Sequence, residues 1–577
     1  MKKLFWTCVA AFLLAGSLAS LRTWAAAPKP NEDVLLSAMQ KELARAQTEL
    51  GKQDPAPYFL AYSVHDQSEA VAVATQSELI FSNRSRQRTG DVIMRVGTPA
   101  LDNSHQENRS SAIDSAKLPL DDDADSIAHS LWSLTYAEYR NASKAYLNVK
   151  TKTQVDTTEE DTSADFSQEA PQLHTQTSPS AAPPDQHLLE DMVRKDSALL
   201  RKYPYLYHTM VFVTADQSRR HFVSTEGTRL VTDGASVRLV IIAQTLADDG
   251  MELMRYETAQ ADSVEHLPSQ AEMTGRIEKM ASDLRDLRAA PVAEPFNGPA
   301  LLSGHAAAVF FHEVLGHRLE GQRQRGETEG QTFTKKVGQS ILPAFLNVID
   351  DPTQHVLNGM DMSGAYDYDD EGVPAARVEL VSDGILKNFL MSRMPIKNFS
   401  KSNGHGRGEP GSLPVARQGN LIVSSSRTVK DAELRQKLID EIKKQGKPYG
   451  LYFEDVQGGF TLTQRFLPQA FQVLPIMVWR VYPDGRPDEL VRGIDVVGTP
   501  LEALDHIILT GEKVDVFNGV CGAESGSVPV SAAAPAMLLS AIEVQKRAHG
   551  LDRVPILPPP GFDPPAFAGA TKAGGQQ

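Results

Sequence analysis

The stretch that decides the fold reads LLSGHAAAVFFHEVLGHRLEGQ and occupies residues 301–322. Its apolar, Ala-rich composition at residues 306–311 predicts a buried helix. Ser303 has the chemistry of an N-cap residue, and Gly321 is expected just beyond the C-terminal end. The sequence therefore places a helix in the interior at the start of the second half of the chain.

This predicted helix carries His312, Glu313 and His317 in the order His-Glu-x-x-x-His. Two imidazoles and a carboxylate are the set that hydrolytic zinc sites use, with histidines as metal ligands and the carboxylate as general base. A pair of satisfied core histidines is the alternative. An unpaired Glu313 in an apolar helix would be costly, which favours the metal interpretation.

The spacing of the two histidines constrains the helix. Residues four apart lie about 40° apart around an α-helix, whereas residues five apart diverge by about 140°. A regular helix cannot aim both rings at one ion, so we expect an irregularity near residues 314–316. A π-bulge would absorb the extra residue, and Gly316 would lower the cost of that distortion.

Composition limits the class of protein. The chain has 577 residues, of which 41% are hydrophobic, and this is enough for two or more domains with cores of their own. The net charge is −15 and no basic stripe is interleaved with aromatic residues, so nucleic acid is not an expected partner.

The first 27 residues have the pattern of a secretory signal peptide, in which Lys2 and Lys3 precede an apolar run and a small-residue site. We expect export, to a bacterial periplasm, with no stable membrane span after cleavage; an uncleaved N-terminal anchor is the alternative. Cys8 would leave with the signal, so Cys521 would be the only thiol of the mature chain. It could be a reactive thiol, an intermolecular bridge or a ligand.

The sequence predicts an α+β fold with mostly antiparallel sheets and packed helices, divided into two domains. Residues 28–295 form the first, and within it the polar, acidic stretch 152–187 is expected to be a flexible insertion. Residues 296–550 form a β-rich second domain that the His-Glu helix opens. The Pro- and Gly-rich residues 551–577 are expected to be a disordered tail.

Local patterns identify several elements within these domains. Apolar residues at helical spacing predict a helix over 270–288 and another that ends near residue 141. Asp383-Gly384, between two strand-like runs, is typical of a type I′ hairpin.

Several motifs of the second half resemble those of the TldD/PmbA family of metallopeptidases, and specifically its catalytic TldD branch, here as an exported variant. The motifs follow the family's order: GPALLSGHAAAVFFHEVLGHRLEG (298–321), DDEGVPAARVELVSDGILKNFL (369–390), SNGHGR (402–407), GLYFEDVQGG (450–459) and NGVCGAESGSVPV (518–530). The first half resembles the family only in general pattern.

The resemblance implies one Zn²⁺ per chain, with His312, His317 and Cys521 as ligands. It implies that Glu313 is the general base toward a zinc-activated water. A zinc-bound thiolate would also account for a single cysteine in an exported protein. Two imidazoles and one thiolate leave a fourth position open, as a catalytic zinc requires.

Other residues near these motifs are candidates for supporting roles. Glu320 is a rival third ligand or an acceptor for an imidazole N–H. His305 could serve in the same way from the same helical face, and a packed or surface histidine is the alternative. The SNGHGR loop offers Asn403, His405 and Arg407 for substrate contacts, although a solvated turn would have the same sequence.

The function implied is that of a zinc metallopeptidase that hydrolyses peptide bonds in unfolded or flexible peptides held as extended chains. Family resemblance also implies a dimer, with itself or with a paralogue. Two alternatives remain: a non-catalytic, PmbA-like partner subunit, and a zinc hydrolase acting on a non-peptide substrate. The chain departs from the family after Cys521, where Lys and Gln are usual, so substrate contacts by those side chains are not expected here.

Overall fold

The computed structural model describes residues 33–105, 112–153, 161–176, 184–325, 329–464 and 470–547. The predicted signal segment and tail lie outside these ranges. No helix in the described ranges is both long enough and apolar enough to cross a membrane.

The first half of the described chain builds one eight-stranded sheet and four helices. The helices are α1 (Val34–Leu50), α2 (Ala124–Thr153), α3 (Gln186–Leu200) and α4 (Gln270–Ala289). The strands are β1 (Pro57–Thr75), β2 (Glu78–Thr98), β3 (Leu101–Asp102), β4 (Ala112–Lys117), β5 (Leu173–Thr175), β6 (His208–Ser224), β7 (Arg229–Leu246) and β8 (Glu252–Ala261). Their order is β3-β2-β1-β6-β7-β5, with β4 beside β2 and β8 beside β7.

The two faces of this sheet have different environments because successive side chains on a strand point to opposite faces. One face packs under the four helices: Tyr62 and Val92 lie in a core with α1 and α2, and Val213 and Leu239 lie in a core with α3 and α4. The opposite face is directed toward the second half of the chain.

The second half builds a twelve-stranded sheet, two small two-stranded sheets and three helices. The helices are α5 (Gly304–Val314), α6 (Asp431–Gln445) and α7 (Pro500–Asp505). The strands are β9 (Phe296–Leu302), β10 (Leu346–Asp350), β11 (Val356–Leu357), β12 (Met360–Asp361), β13 (Val378–Ser382), β14 (Ile385–Leu386), β15 (Gly406–Arg407), β16 (Val415–Ala416), β17 (Asn420–Ser425), β18 (Thr428–Val429), β19 (Gly450–Thr461), β20 (Phe471–Val481), β21 (Glu489–Val491), β22 (Ile494–Gly498), β23 (Ile507–Ala523) and β24 (Gly526–Lys546).

Strand pairing in the large sheet closes on itself. The pairings run from β24 through β22, β20, β19 and β9 and return to β24. The apolar face of α5 packs within this arrangement, where Phe310 makes an edge-to-face contact with Phe471 of β20 at 5.6 Å between ring centroids. The α5 helix is therefore fixed by the strands around it.

The predicted α+β class with mostly antiparallel sheets is confirmed. The helix predicted over 270–288 is α4. At the Asp383-Gly384 turn both residues have positive φ, 49° and 75°, and Val381 pairs with Leu386, so the type I′ hairpin is confirmed. The helix predicted to end near residue 141 is longer than expected: α2 continues to Thr153.

The prediction of a flexible insertion at 152–187 is wrong for residues 161–176. Phe166 is buried against Phe59, and β5 pairs in parallel with β7. Asp165 forms a buried ion pair with Arg325 from the second half, at 3.0 Å. The average composition of the segment did not predict these contacts. A buried ion pair and a buried aromatic side chain can fix a segment that is polar on average.

Helix α2 also buries a carboxyl group. Glu138 has no exposed surface, and neither of its oxygens has a hydrogen-bond partner among the described residues. Burial, together with repulsion from Asp114, raises the pKa of Glu138 from 4.5 to about 9. The folded protein therefore holds this group as the neutral acid at pH 7.

We predict that Glu138→Gln stabilises the protein increasingly as pH rises. Because the folded pKa is raised from 4.5 to about 9, the wild type loses stability between these values as the unfolded chain ionises and the folded one does not. The advantage of the variant should grow by at most about 1.4 kcal/mol per pH unit. Urea midpoints at pH 5 and pH 8 measure it, with Glu294→Gln at an exposed position as control. A difference that does not change with pH would contradict this prediction.

Candidate metal centre

Helix α5 presents the His-Glu motif in its last turn. Its N-terminus is capped by Ser303, whose Oγ accepts a hydrogen bond from the Ala306 N–H at 3.1 Å, as predicted. Both His312 and Glu313 are buried at the C-terminal end, 5% and 6% exposed. The helix therefore delivers a histidine and a carboxylate to one buried point.

The irregularity expected after His312 is present, but it is not a π-bulge. Helix α5 ends at Val314, Leu315 has φ −110° and ψ −54°, and a 3₁₀ turn follows over Gly316–Leu319. This tighter turn brings the rings of His312 and His317 to 4.8 Å between centroids. The prediction of Gly321 beyond the end of this helix is also wrong, because Gly321 begins a separate 3₁₀ turn.

Glycine is required at position 316 because the side chain of Gln418 lies very close to its backbone. A Cβ atom at this position would lie 1.9 Å from Oε1 of Gln418, whose Nε2 donates to the carbonyl of His312 at 3.4 Å. Any larger side chain would displace Gln418 or the 3₁₀ turn.

Arg318 donates hydrogen bonds to backbone carbonyls at the C-terminal end of α5. Its Nη1 donates to the carbonyls of Glu313 at 2.9 Å and Val314 at 3.3 Å. These carbonyls are among those that a helix C-terminus leaves without intrahelical partners. The guanidinium thus stabilises the point at which the chain changes direction, although the sequence pattern gave this residue no role.

Cys521 reaches the two histidines from β23. Its Sγ lies 3.3 Å from Nε2 of His317, and one ligand atom from each of His312, His317 and Cys521 lies within 4.8 Å of the others. Cys521 pairs with Val528 of β24, which fixes the position of the thiol along the hairpin. The structure brings these three predicted residues together.

Arg417 holds the cysteine backbone in place, and the sequence gave no signal for it. The side chain has no exposed surface, and its Nη2 donates to the Cys521 carbonyl at 2.7 Å. Its Nη1 donates to Ser525 Oγ at 2.9 Å and to the Gly526 carbonyl at 3.0 Å. One guanidinium therefore connects both sides of the β23–β24 turn.

The three side chains shift one another's pKa. Burial raises the pKa of Cys521, but attraction and hydrogen bonds from His312 and His317 outweigh it and lower that pKa from 9.0 to about 4. Burial lowers the pKa of His317, but Glu320 and Cys521 outweigh it and raise that pKa from 6.5 to about 10. These interactions favour the thiolate form of the cysteine, which is the form that binds metals.

Glu313 faces the cavity beside the three side chains. Burial raises its pKa above the usual 4.5 despite the opposing effect of the two histidines. Gly459 of β19 leaves room for it, because a Cβ there would lie 2.6 Å from Glu313 Cγ. A carboxylate with a raised pKa is a stronger base.

Glu320 connects the centre to a set of buried charges. Its Oε1 lies 3.2 Å from Nδ1 of His317, and its Oε2 accepts from Arg323 Nε at 2.8 Å. Burial raises the pKa of Glu320, but His317 and Arg323 outweigh it and hold the pKa below its usual value. An anionic acceptor at Nδ1 orients the imidazole with Nε2 toward Cys521.

His305 does not contact the metal centre, contrary to one sequence expectation. Its Nδ1 lies 3.0 Å from Oδ1 of Asp455, and its ring packs near Phe517 at 5.2 Å between centroids. His305 lines the same cavity, two helical turns before His312. Asp455 is in turn bound by Arg255 of β8, which links the two halves of the chain.

The expectation that the SNGHGR loop contacts substrate is not supported, because its side chains are engaged within the fold. His405 is fully buried with Nε2 at 3.3 Å from Asp350, and Arg407 donates to the Gln418 carbonyl at 2.7 Å. Asn403 bonds the backbone of Phe389. None of the three lines the cavity. Their polar chemistry supports the loop that carries Gln418.

The donor set fits a zinc ion. Two imidazoles and a thiolate are characteristic zinc ligands. Nδ1 of His312 is buried without a hydrogen-bond partner among the described residues. Within those residues, His312, His317 and Cys521 are the group of His, Cys, Asp and Glu side chains with the spacing to hold a metal.

A cavity of about 1850 Å³ opens over the centre between the two halves of the chain. One wall carries the three candidate ligands and Glu313 with parts of β19 and β23, and the facing wall consists of β7 and β8. The fold and this centre define an α+β protein with a candidate hydrolytic zinc site at a large internal cleft.

Comparison with known proteins shows what the second half of the chain is similar to. The family model described as the PmbA/TldA metallopeptidase C-terminal domain matches residues 296–546. The metalloprotease TldD homolog of Haemophilus influenzae is 29% identical over 250 residues, which cover 43% of this chain and 48% of that protein. The second half of the chain is therefore similar in sequence to TldD/PmbA metallopeptidases.

Two further similarities extend over more of the chain. The zinc metalloprotease TldD homolog of Saccharolobus solfataricus is 23% identical over 364 residues, covering 62% of this chain and 75% of that protein. The crystal structure of TldE from Thermococcus kodakarensis has a TM-score of 0.57 at 13% identity and covers 88% of this chain and 100% of that chain, which shows similarity of fold. The chain spans about half the length of the first curated relatives it matches.

We predict that metal binding depends on the three convergent side chains. The wild-type protein should hold about one zinc per chain, and His312→Ala and Cys521→Ser should each reduce the zinc content toward zero because each removes a ligand. His355→Ala, at a surface histidine that is 61% exposed, is the matched control and should retain zinc. Elemental analysis of the purified proteins measures this. A Cys521→Ser protein with wild-type zinc content would exclude the cysteine as a ligand.

We also predict that Glu320→Gln weakens zinc binding by about 10- to 100-fold, because a neutral amide cannot orient His317 or balance Arg323 as the carboxylate does. Competition with a chromophoric chelator gives the dissociation constant. Glu329→Gln removes another carboxylate beside Arg323, at 3.4 Å, without touching His317, and should bind zinc as the wild type does. Equal losses in both variants would contradict a specific role for Glu320.

Proposed function

We propose that this chain is a zinc-dependent metallopeptidase that hydrolyses peptide bonds in unfolded or flexible peptides. The observation that carries the proposal is the buried convergence of His312, His317 and Cys521, with Glu313 beside them at the wall of a large cavity. Curated relatives named metalloproteases support the same chemistry.

The residues have distinct parts in this proposal. His312, His317 and Cys521 would hold Zn²⁺, which when bound supplies Lewis acidity toward the peptide carbonyl and toward water. Glu313 accepts a proton from the attacking water and delivers it to the leaving amine. Burial, which raises the pKa of Glu313, strengthens it for the first of these transfers.

The strand at the edge of the sheet beside the cavity supports an extended peptide as substrate. Strand β8 pairs with β7 along one edge, and no second partner strand for it is found among the described residues. A free strand edge offers a row of backbone donors and acceptors to an extended chain. Main-chain recognition of this kind selects unfolded segments with little preference for sequence.

The setting of the enzyme is also a proposal. The N-terminal sequence supports export to a periplasm, and resemblance to the family supports a dimer formed with itself or with a paralogue. The complete set of candidate zinc residues favours an active enzyme over a non-catalytic, PmbA-like partner subunit.

We predict that the zinc-loaded wild type cleaves unfolded casein and that Glu313→Ala does not, with a rate loss of about 10²- to 10⁴-fold, because the general base is absent. The Glu313→Ala protein should retain its zinc. Asp361→Ala removes an exposed carboxylate from the same cavity and should cleave normally. Electrophoresis and mass spectrometry of the products measure cleavage.

The outcomes separate the alternatives. Cleavage by Glu313→Ala at the wild-type rate would exclude Glu313 as the base. Bound zinc without cleavage by any variant would leave peptide hydrolysis unsupported and would favour a non-peptide substrate. Absence of both zinc and cleavage would favour the partner-subunit alternative.

A further inference from the structure

The wall of the cavity that faces the metal centre has a polar end and an apolar end. On β7, residues 238, 240 and 242 point to one face, and on the neighbouring β8 they pair with residues 260, 258 and 256. All six line the cavity: Arg238, Val240, Ile242, Tyr256, Thr258 and Gln260. Arg238 and Gln260 form the polar end.

Arg238 differs from the other cations of the cavity in having no carboxylate partner. Outside the metal centre, the remaining basic side chains of the lining each have a carboxylate neighbour: Arg276 has Glu272, Arg323 has Glu320, His266 has Asp262 and His305 has Asp455. No hydrogen bond or ion pair of the Arg238 side chain is found among the described residues. Its positive charge is therefore available to a ligand.

An unpaired, half-buried guanidinium is costly to a protein. Burial lowers the pKa of Arg238, opposed only by the nearby Tyr256. Solvation lost by such a group is recovered when an anion binds it, and a planar carboxylate matches the guanidinium with two parallel hydrogen bonds. The chemistry of this position thus points to a carboxylate ligand.

Gln260 adds a second donor to the same point. It lies directly across from Arg238 in the antiparallel pair, where Cβ atoms are about 4.5–5.5 Å apart. Its amide has no side-chain hydrogen bond among the residues that the structure describes. The pair offers a guanidinium fork and an amide N–H to one ligand.

We propose that Arg238 and Gln260 form a subsite that binds a carboxylate of the peptide held in the cavity. This inference rests on the proposed peptidase function and adds a preference among its substrates. The carboxylate is either the C-terminus of the peptide or the side chain of an Asp or Glu residue, and both would make the same contacts.

Strand spacing gives the scale of the distance between this subsite and the reaction centre. The Tyr256 hydroxyl donates to the Gln457 carbonyl of β19 at 2.7 Å, and Gly459, two residues further along β19, contacts Glu313. From Tyr256 to Gln260 the strand β8 advances four residues, or about 13 Å. We take about four to six residues of extended peptide as the separation to be tested between the carboxylate and the scissile bond.

Binding to the Glu313→Ala protein tests the subsite without requiring hydrolysis. Three peptides of one sequence are compared by calorimetry: one with a free C-terminal carboxylate, one with an amidated C-terminus, and an amidated one with Glu placed about five residues from the centre. We expect at least one carboxylate peptide to bind about tenfold more tightly than the neutral one. The peptide that gains identifies the source of the carboxylate.

The variants establish which residue is responsible. Arg238→Gln should abolish the preference, Arg238→Lys should retain part of it, and Arg276→Gln, which removes a paired cation of the same cavity, should retain all of it. In the active enzyme, Arg238→Gln should raise KM for the preferred peptide and leave kcat unchanged. Equal binding of all three peptides, or a preference that survives Arg238→Gln, would overturn the inference. Loss of casein cleavage alone would count against the peptidase function and not against the subsite.

Discussion

The contact between the Cys521 thiolate and the His317 imidazole is the interaction on which the rest of the structure depends. The two residues are 204 positions apart in the chain, and their side chains meet at 3.3 Å. This contact requires α5 to end at Val314, the β23–β24 hairpin to keep its register, and Arg417 to hold the Cys521 carbonyl. Misplacement of any one would separate the sulfur from the imidazole.

Buried charges maintain this geometry, and each is paired. Glu320 and Arg417 have no exposed surface, and Arg323 is 7% exposed. An unpaired ion in such a place would cost several kcal/mol, whereas a paired and hydrogen-bonded one can be tolerated. Glu320 contacts His317 and Arg323 in one arrangement, so the imidazole orientation is coupled to the ion pairs behind it. The centre is rigid because few other arrangements would satisfy these groups.

The sequence was informative where local chemistry decides the structure. The spacing of His312 and His317 required a break in the helix, and Cys521 drew attention as the single thiol outside the predicted signal segment. The form of the break could not be predicted, because it depends on Gln418 packing against Gly316 from about 100 residues away. Arg318 and Arg417 gave no signal because most of their partners are backbone carbonyls set by tertiary structure.

The wrong predictions have a related cause. His405 and Arg407 are polar residues in a Gly-rich loop, a pattern that fits a ligand loop, yet their hydrogen bonds are satisfied inside the fold. Residues 161–176 are polar on average, but Phe166 and Asp165 anchor them to distant partners. The contacts of His405, Asp165 and Phe166 join segments that are remote in sequence, which composition and periodicity do not register.

The cavity walls come from two separate sheets, and this has an evolutionary consequence. The metal-side wall is built from the half of the chain that matches the family model, while β7 and β8 belong to the half outside that match. Substitutions on β7 or β8 can change which molecules are retained without disturbing the ligands at the other wall. Such a division would let the facing wall diversify among descendants while the candidate metal centre is inherited intact.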